Sequence, residues 1–246
     1  MALVSATSFS AEIVLQDNFD YASNAALQSA WTTLDGNPPG MVQESSAVAG
    51  APFAEVVNAA IQRSLSQTIA DNLTLSVDFL CSTGQRTQSV GVFDITGKNG
   101  YVIYLNSGAG TNPKEGLLRV MKVAIPEADP ISWQDYYSTH ATSLSGAIYI
   151  GTFDFYPTSE TSNTPMVNAG LTWSKDGSLA LSVNGVLQYS GTDTSLSSFS
   201  SVVIEGNGSG YFNNLTVTIP EPASMALLGI GLSLLACRRR RKACHG

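Results

Sequence analysis

Apolar and polar residues alternate with period two along much of the chain. Leu73, Leu75, Val77 and Phe79 alternate with Thr74, Ser76 and Asp78, which predicts a strand with the first set on a core and the second facing out. Residues 89–95, 101–105, 117–123, 147–155 and 167–173 form further apolar, β-branched and aromatic runs separated by Gly, Asn, Asp and Ser. Thr96-Gly97-Lys98-Asn99-Gly100 suits a tight hairpin. The most specific local signal lies between residues 171 and 189. Leu171-Thr172-Trp173, Leu179 to Val183 and Val186 to Tyr189 are linked by Ser174–Ser178 and by Asn184-Gly185. Asn-Gly between extended runs is the preferred type I′ turn, because both residues tolerate positive φ, so a three-stranded meander is expected. Residues 199–205 and 211–219 add two strands around Gly206-Asn207-Gly208-Ser209-Gly210, read as a hairpin turn. At least ten strands and no helix in the body predict an all-β fold, a two-sheet antiparallel sandwich over residues 12–219.

Two stretches interrupt the pattern. Residues 35–39 carry Gly36, Pro38 and Pro39, and residues 127–142 carry Pro130 with Trp133, Tyr136, Tyr137 and His140. Aromatic loops of this kind have two readings. Trp133, Tyr136 and Tyr137 are candidate ligand-contacting rings, or they cap the ends of the core.

Charge separates the chain into two parts. Through Ile219 it carries 7 Lys/Arg against 18 Asp/Glu, whereas Arg238, Arg239, Arg240, Arg241 and Lys242 stand together near the end. An acidic body repels phosphate backbones, which argues against nucleic acid as a partner. Three cysteines without a CxxC pair exclude a zinc site by spacing, and Cys81, inside an apolar run, reads as a small buried hydrophobe. Residues 1–11 are small and apolar but lack a basic start and a full-length apolar core. They are either the remnant of an export signal that begins upstream or an ordinary amino terminus.

The last segment is the most specific. Pro220-Glu221-Pro222 ends the final strand, because proline cannot donate to a ladder. Ala223 to Cys237 is an uninterrupted apolar run, and the five cations follow directly. As a helix the run spans about 22 Å at 1.5 Å per residue, short of a hydrocarbon core of about 30 Å. Snorkelling arginines and local thinning make up part of the gap. A core helix would need no terminal block of cations. A single C-terminal hydrophobic helix in a membrane, with the Arg/Lys block in the cytoplasm and the acidic body across from it, is the expected arrangement.

Pro-Glu-Pro, an apolar span and an Arg-rich end together resemble the PEP-CTERM sorting tails of Gram-negative bacteria. The resemblance implies that residues 220–246 are a sorting tail, with Pro220, Glu221 and Pro222 as the motif and Ala223 to Cys237 as the span. Arg238, Arg239, Arg240, Arg241 and Lys242 would be the stop-transfer block. An exosortase would be the processing partner, the inner membrane a transient anchor, and the cell surface or extracellular space the destination. The body in turn is similar to the concanavalin A-like, laminin-G-type jelly rolls. It shares Asp17-Asn18-Phe19-Asp20-Tyr21 with Trp31, the Trp173–Gly185 hairpin, and Gly210-Tyr211-Phe212-Asn213-Asn214-Leu215-Thr216-Val217. That resemblance implies first and last strands side by side. It also implies a structural calcium where acidic residues meet. Asp17 and Asp20 match, but Asn213 stands where relatives commonly have Asp, which removes one hard anionic ligand. No metal and no cofactor are assigned.

No catalytic apparatus is legible. Retaining glycosidases of this fold need two carboxylates close together, and no Glu-x-Asp-x-x-Glu-like run exists. Asp94 and Glu205 stand singly and are read as parts of a solvated face. His140 lacks an identifiable serine, and there is neither a nucleophile elbow nor a phosphate loop. The expectation is a non-enzymatic surface or matrix protein whose sandwich associates with exopolysaccharide. Its rivals are a divergent glycan hydrolase or lyase and a structural adhesin without a small ligand.

Overall fold

A computed structural model describes residues 11–42, 53–80, 86–107, 115–152 and 166–220. The export-signal reading of residues 1–10, Cys81, and the tail from Glu221 onward, with its span and its Arg238–Lys242 block, lie outside the described residues.

The elements run β1 (Glu12–Asp17), α1 (Asn24–Ala30), β2 (Thr32–Gly36), β3 (Gly40–Val42), β4 (Phe53–Ile69), β5 (Leu73–Leu80), β6 (Arg86–Phe93) and β7 (Asn99–Ser107). They continue with β8 (Glu115–Ala124), a 3-10 turn (Trp133–Tyr136), β9 (Ala141–Ser143), β10 (Ile148–Thr152), β11 (Met166–Trp173), β12 (Ser178–Val183), β13 (Val186–Thr192) and β14 (Phe199–Ile219). All pairings are antiparallel, and the path β10-β8-β7-β6-β14-β5-β11-β12-β13 curls over on itself.

The curl has a definite cause. On one side β14 pairs with β6 through residues 201–207 and with β5 through residues 211–218. On its other side it pairs first with β4 and then with β1. One strand thus belongs to both layers of a jelly roll. The expected hairpin at Gly206–Gly210 is therefore corrected: β14 is continuous for 21 residues, and the glycines form a bulge rather than a turn. A β-carbon on Gly206 would stand 2.1 Å from the Val56 carbonyl oxygen, so only glycine lets β4 come this close. β4 bends opposite the bulge, at Asn58 with φ 46°, and the Gly208 N–H donates to Asn58 Oδ1 at 2.8 Å. At Asn214, φ 47°, a second irregularity resets the alternation, so that Phe212, Leu215 and Val217 all point inward.

The core follows the predicted alternation. Leu73, Leu75, Val77 and Phe79 are fully buried, whereas Thr74, Ser76 and Asp78 are half-exposed. Trp173 and Tyr101, from opposite layers, both pack on Phe199, at 4.9 and 5.8 Å between ring centroids. Asn184 and Gly185 take φ 50° and 77°, as a type I′ turn requires. β1 lies beside β14, from Glu12 opposite Ile219 to Asp17 opposite Leu215.

Two further corrections concern elements. Among the described residues the body has one short α-helix, α1, capped by Ser23 Oγ accepting from the Ala26 N–H; seven residues are too few to show a period. β1 to β4 had no predicted counterparts. In β4, Ala59, Ala60 and Ile61 are buried in succession, so a strand covered on both faces shows no alternation.

Candidate functional site

The layer made of β10, β8, β7, β6 and the first part of β14 has two differently built faces. Ile103 and Leu105 of β7 face the main core, while Val102 and Tyr104 face away from it. On that outer side Phe93, Val102, Tyr104, Met121, Val123, Ile125, Tyr136 and Val203 form a second apolar cluster. Beside the cluster the strands align two polar rows. Glu205, Ser89, Tyr104 and Arg119 lie directly opposite one another on β14, β6, β7 and β8. Asn207, Thr87, Asn106, Leu117 and Tyr149 form the next row, extending to β10. Directly paired residues share a face, so these side chains lie on one side of the layer, where Glu205, Ser89, Tyr104 and Thr87 are buried and Arg119, Asn106, Leu117 and Asn207 are half-exposed.

The loop between β8 and β9 covers part of it. Its rings stack in sequence: Trp133 on Tyr137 at 5.8 Å and 29°, and Tyr137 on Tyr104 at 6.1 Å and 14°. Asn207 Nδ2 donates to the Tyr137 hydroxyl at 3.1 Å. The loop is held by polar anchors. The Lys98 ammonium donates to the carbonyls of Pro126, Glu127 and Asp129, which uses its three hydrogens. Tyr136 donates to the Gly97 carbonyl at 3.0 Å, the Trp133 N–H donates to Asp35 Oδ2 at 2.9 Å, and Ser132 and Asp135 form a capping box. His140 Nε2 lies 3.7 Å from both Asp129 and Asp135. These contacts anchor the loop, and Tyr136 with it, to the layer.

Glu205 is the chemically exceptional residue. The expectation of a solvated face is corrected, because the side chain is 0 % exposed. Its strand is central to the layer, with Ala60 on one side and Ser89 on the other. Oε2 accepts from Ser89 Oγ at 3.2 Å, while Oε1, and Thr87 Oγ1 in the neighbouring row, have no hydrogen-bond partner among the described residues. Burial pushes the Glu205 carboxyl well above the usual carboxylate range, only partly offset by Ser89. Burial, followed by the charge of Glu205, also raises the Tyr104 hydroxyl to about 12.

The three loop aromatics divide. Trp133 and Tyr137 are half-buried, with one part of each ring open to solvent. Tyr136 turns inward, fully buried and edge-on to Phe93 at 5.4 Å, so it anchors the loop. Asp94 organises the β6–β7 turn, accepting from Thr96 and Lys98 through Oδ1 and from Asn99 through Oδ2; burial pushes its pKa up, but those hydrogen bonds together outweigh it and hold the carboxyl below its usual range. Asp17, the match to the jelly-roll calcium position, is buried and engaged within the chain. It accepts from the Phe19 N–H at 2.7 Å, Trp31 Nε1 at 2.9 Å, the Tyr21 hydroxyl and Arg63, whose guanidinium supplies the positive charge there. Asp20 is exposed, and Asn213 Oδ1 accepts from the Asn214 N–H. Of the sorting motif, Pro220 closes the described chain directly after β14.

Tyr104, Arg119, Thr87, Asn207 and Glu205 were not singled out as a site. One signal was available: Tyr101 to Leu105 is apolar at both parities, the mark of a strand covered on both faces.

A model of the PEP-CTERM protein-sorting motif matches residues 218–241. The chain carries that motif, which implies exosortase-targeted export and a C-terminal tail anchored in the membrane before processing. Among the described residues no helix is long and apolar enough to cross a membrane. No curated protein matches the chain. Solved structures share its fold. β-Agarase A from Zobellia galactanivorans is 10 % identical, with 86 % of this chain and 93 % of that one covered and a TM-score of 0.56. The Emp47p carbohydrate recognition domain is 11 % identical, with 84 % and 95 % covered and a TM-score of 0.51. The CBM2 module of the evolved Dit of Lactobacillus casei BL23 phage J-1 is 10 % identical, with 86 % and 98 % covered and a TM-score of 0.51. The body is a concanavalin-like jelly roll.

Proposed function

We propose that this is a non-enzymatic surface or extracellular-matrix protein of a Gram-negative bacterium whose jelly roll, residues 12–219, binds glycan on the outer face of the β6–β7–β8 layer. The observation that carries the reading is the Trp133–Tyr137–Tyr104 stack beside two polar cross-strand rows. Sugar rings present C–H faces to aromatic rings and hydroxyls to polar side chains, and the half-exposed Trp133 and Tyr137 beside the half-exposed Asn106, Asn207 and Arg119 offer both. The carbohydrate-directed names of the similar structures add support. Exopolysaccharide exported by the same cell is the proposed ligand. Residues 220–246 are the sorting tail: an exosortase reads Pro220-Glu221-Pro222 while the apolar span and the Arg238–Lys242 block hold the protein in the inner membrane.

The divergent hydrolase is the alternative. Against it, the residues directly across from Glu205 are Ala60 and Ser89, neither a carboxylate, whereas retaining hydrolysis needs a partner about 5–5.5 Å away. Glycan arrays with the purified protein separate the readings. Saturable binding without reducing-end release supports the lectin-like role. Turnover would replace it with the hydrolase, and no binding together with lost aggregation on gene deletion would favour a structural adhesin. Mass spectrometry of the cell-surface form tests the sorting half. Loss of the residues after the motif is expected, and an intact tail at the surface refutes processing.

A further inference from the structure

Glu205 Oε1 and Thr87 Oγ1 are both buried and both lack a partner among the described residues, and they lie on one face in adjacent rows of the same pair of strands. Buried polar atoms are satisfied in folded proteins with few exceptions, so two orphans together mark a place where something else supplies the bonds. The surroundings define what that is. Ser89 occupies the other oxygen of Glu205. Asn207, opposite Thr87, donates to the hydroxyl of the half-exposed Tyr137, whose ring stacks on Tyr104 in the row of Glu205.

Resting on the glycan-binding reading, we propose that Thr87 and Glu205 form the hydrogen-bonding end of that face and select an uncharged glycan, whose hydroxyls complete the two open atoms when Tyr137 is displaced. A sugar hydroxyl donates one hydrogen bond and accepts others, so it satisfies either a carboxyl group or the threonine hydroxyl. A uronate offers its carboxylate to an unfavourable field. Asp135, Asp94 and Asp35 all act on the neighbouring Tyr136 hydroxyl, and Arg119, opposite Tyr104, is the cation in the row. The neutral form of Glu205 suits this task, since a protonated carboxyl both donates and accepts.

The test uses the full chain in mild detergent, with cello-, laminari-, agaro- and malto-hexaose as neutral probes and hexagalacturonate as the charged one, by titration calorimetry. A neutral hexasaccharide should bind at least tenfold more tightly than hexagalacturonate. Thr87→Val should weaken that binding about fivefold to tenfold while leaving the thermal midpoint of the free protein unchanged or raised, because the hydroxyl it removes has no partner there. A merely structural hydroxyl would show the reverse. Glu205→Gln should keep most of the affinity, since an amide also donates and accepts, and Glu205→Leu should lose it. Equal binding of hexagalacturonate, or unaltered affinity in both Thr87→Val and Glu205→Leu, overturns the proposal while glycan binding itself stands. Binding of hexagalacturonate alone likewise overturns only this proposal, and failure of all five hexasaccharides to bind overturns both.

Discussion

Replacing Glu205 with glutamine removes a titrating proton from the interior while keeping shape and hydrogen-bonding capacity. In the folded chain the carboxyl has no exposure and accepts one hydrogen bond among the described residues, from Ser89, so burial holds its folded pKa well above the ordinary 4.5. Between 4.5 and the folded value, the folded state binds a proton that the unfolded chain has released. Stability from this group is therefore fully present below pH 4.5 and is lost as pH rises through the folded value. Each unit of separation is about 1.4 kcal/mol, which is roughly 3–5 °C in midpoint for a domain of this size. Thermal unfolding followed by circular dichroism from pH 4 to pH 9 reads the effect directly. The two proteins should unfold at similar temperatures at pH 4, and Glu205→Gln should gain on the parent steadily as pH rises. Other titrating groups are common to both proteins and cancel in the difference. Parallel curves across the range would refute the reasoning, because they would mean that Glu205 titrates alike in folded and unfolded chains.

Asp17→Ala should cost about 3–5 kcal/mol in urea unfolding, because it leaves the Arg63 guanidinium and Trp31 Nε1 without their shared acceptor in a largely buried site. Trp133→Ala should weaken glycan binding about tenfold, measured by titration calorimetry, with little change in stability, because its ring is half-exposed. Tyr136→Ala should instead lower stability by about 3–5 kcal/mol, since its ring is fully buried against Phe93. Gly206→Ala should prevent accumulation of folded protein, judged by the loss of a cooperative thermal transition, because the new methyl would stand 2.1 Å from the Val56 carbonyl oxygen of the adjacent strand.

What could be read along the chain was whatever depends on near neighbours. The Leu73–Phe79 alternation needs only the two-residue period of a strand, and the Asn184-Gly185 turn needs only two residues that accept positive φ. The sorting motif is equally local, as a contiguous string of prolines, apolar residues and cations. Reading failed where a residue's state depends on distant partners. Gly206–Gly210 looks like a turn by composition, yet β4, β5 and β6 hold it extended through pairing on both sides. Ala59 and Ala60 belong to no visible period because two layers bury them from opposite sides. Glu205 reads as a surface carboxylate by residue type, and only the registry of β14 with β4 and β6, under rings contributed by a loop about 70 positions earlier, encloses it. The sequence by itself determined the all-β class, the meander and the export tail, since short-range periodicity and contiguous composition suffice for these. Tertiary structure alone decided which face carries the aromatic stack and which carboxyl lies beneath it, because burial is a property of the assembled layers rather than of the residue.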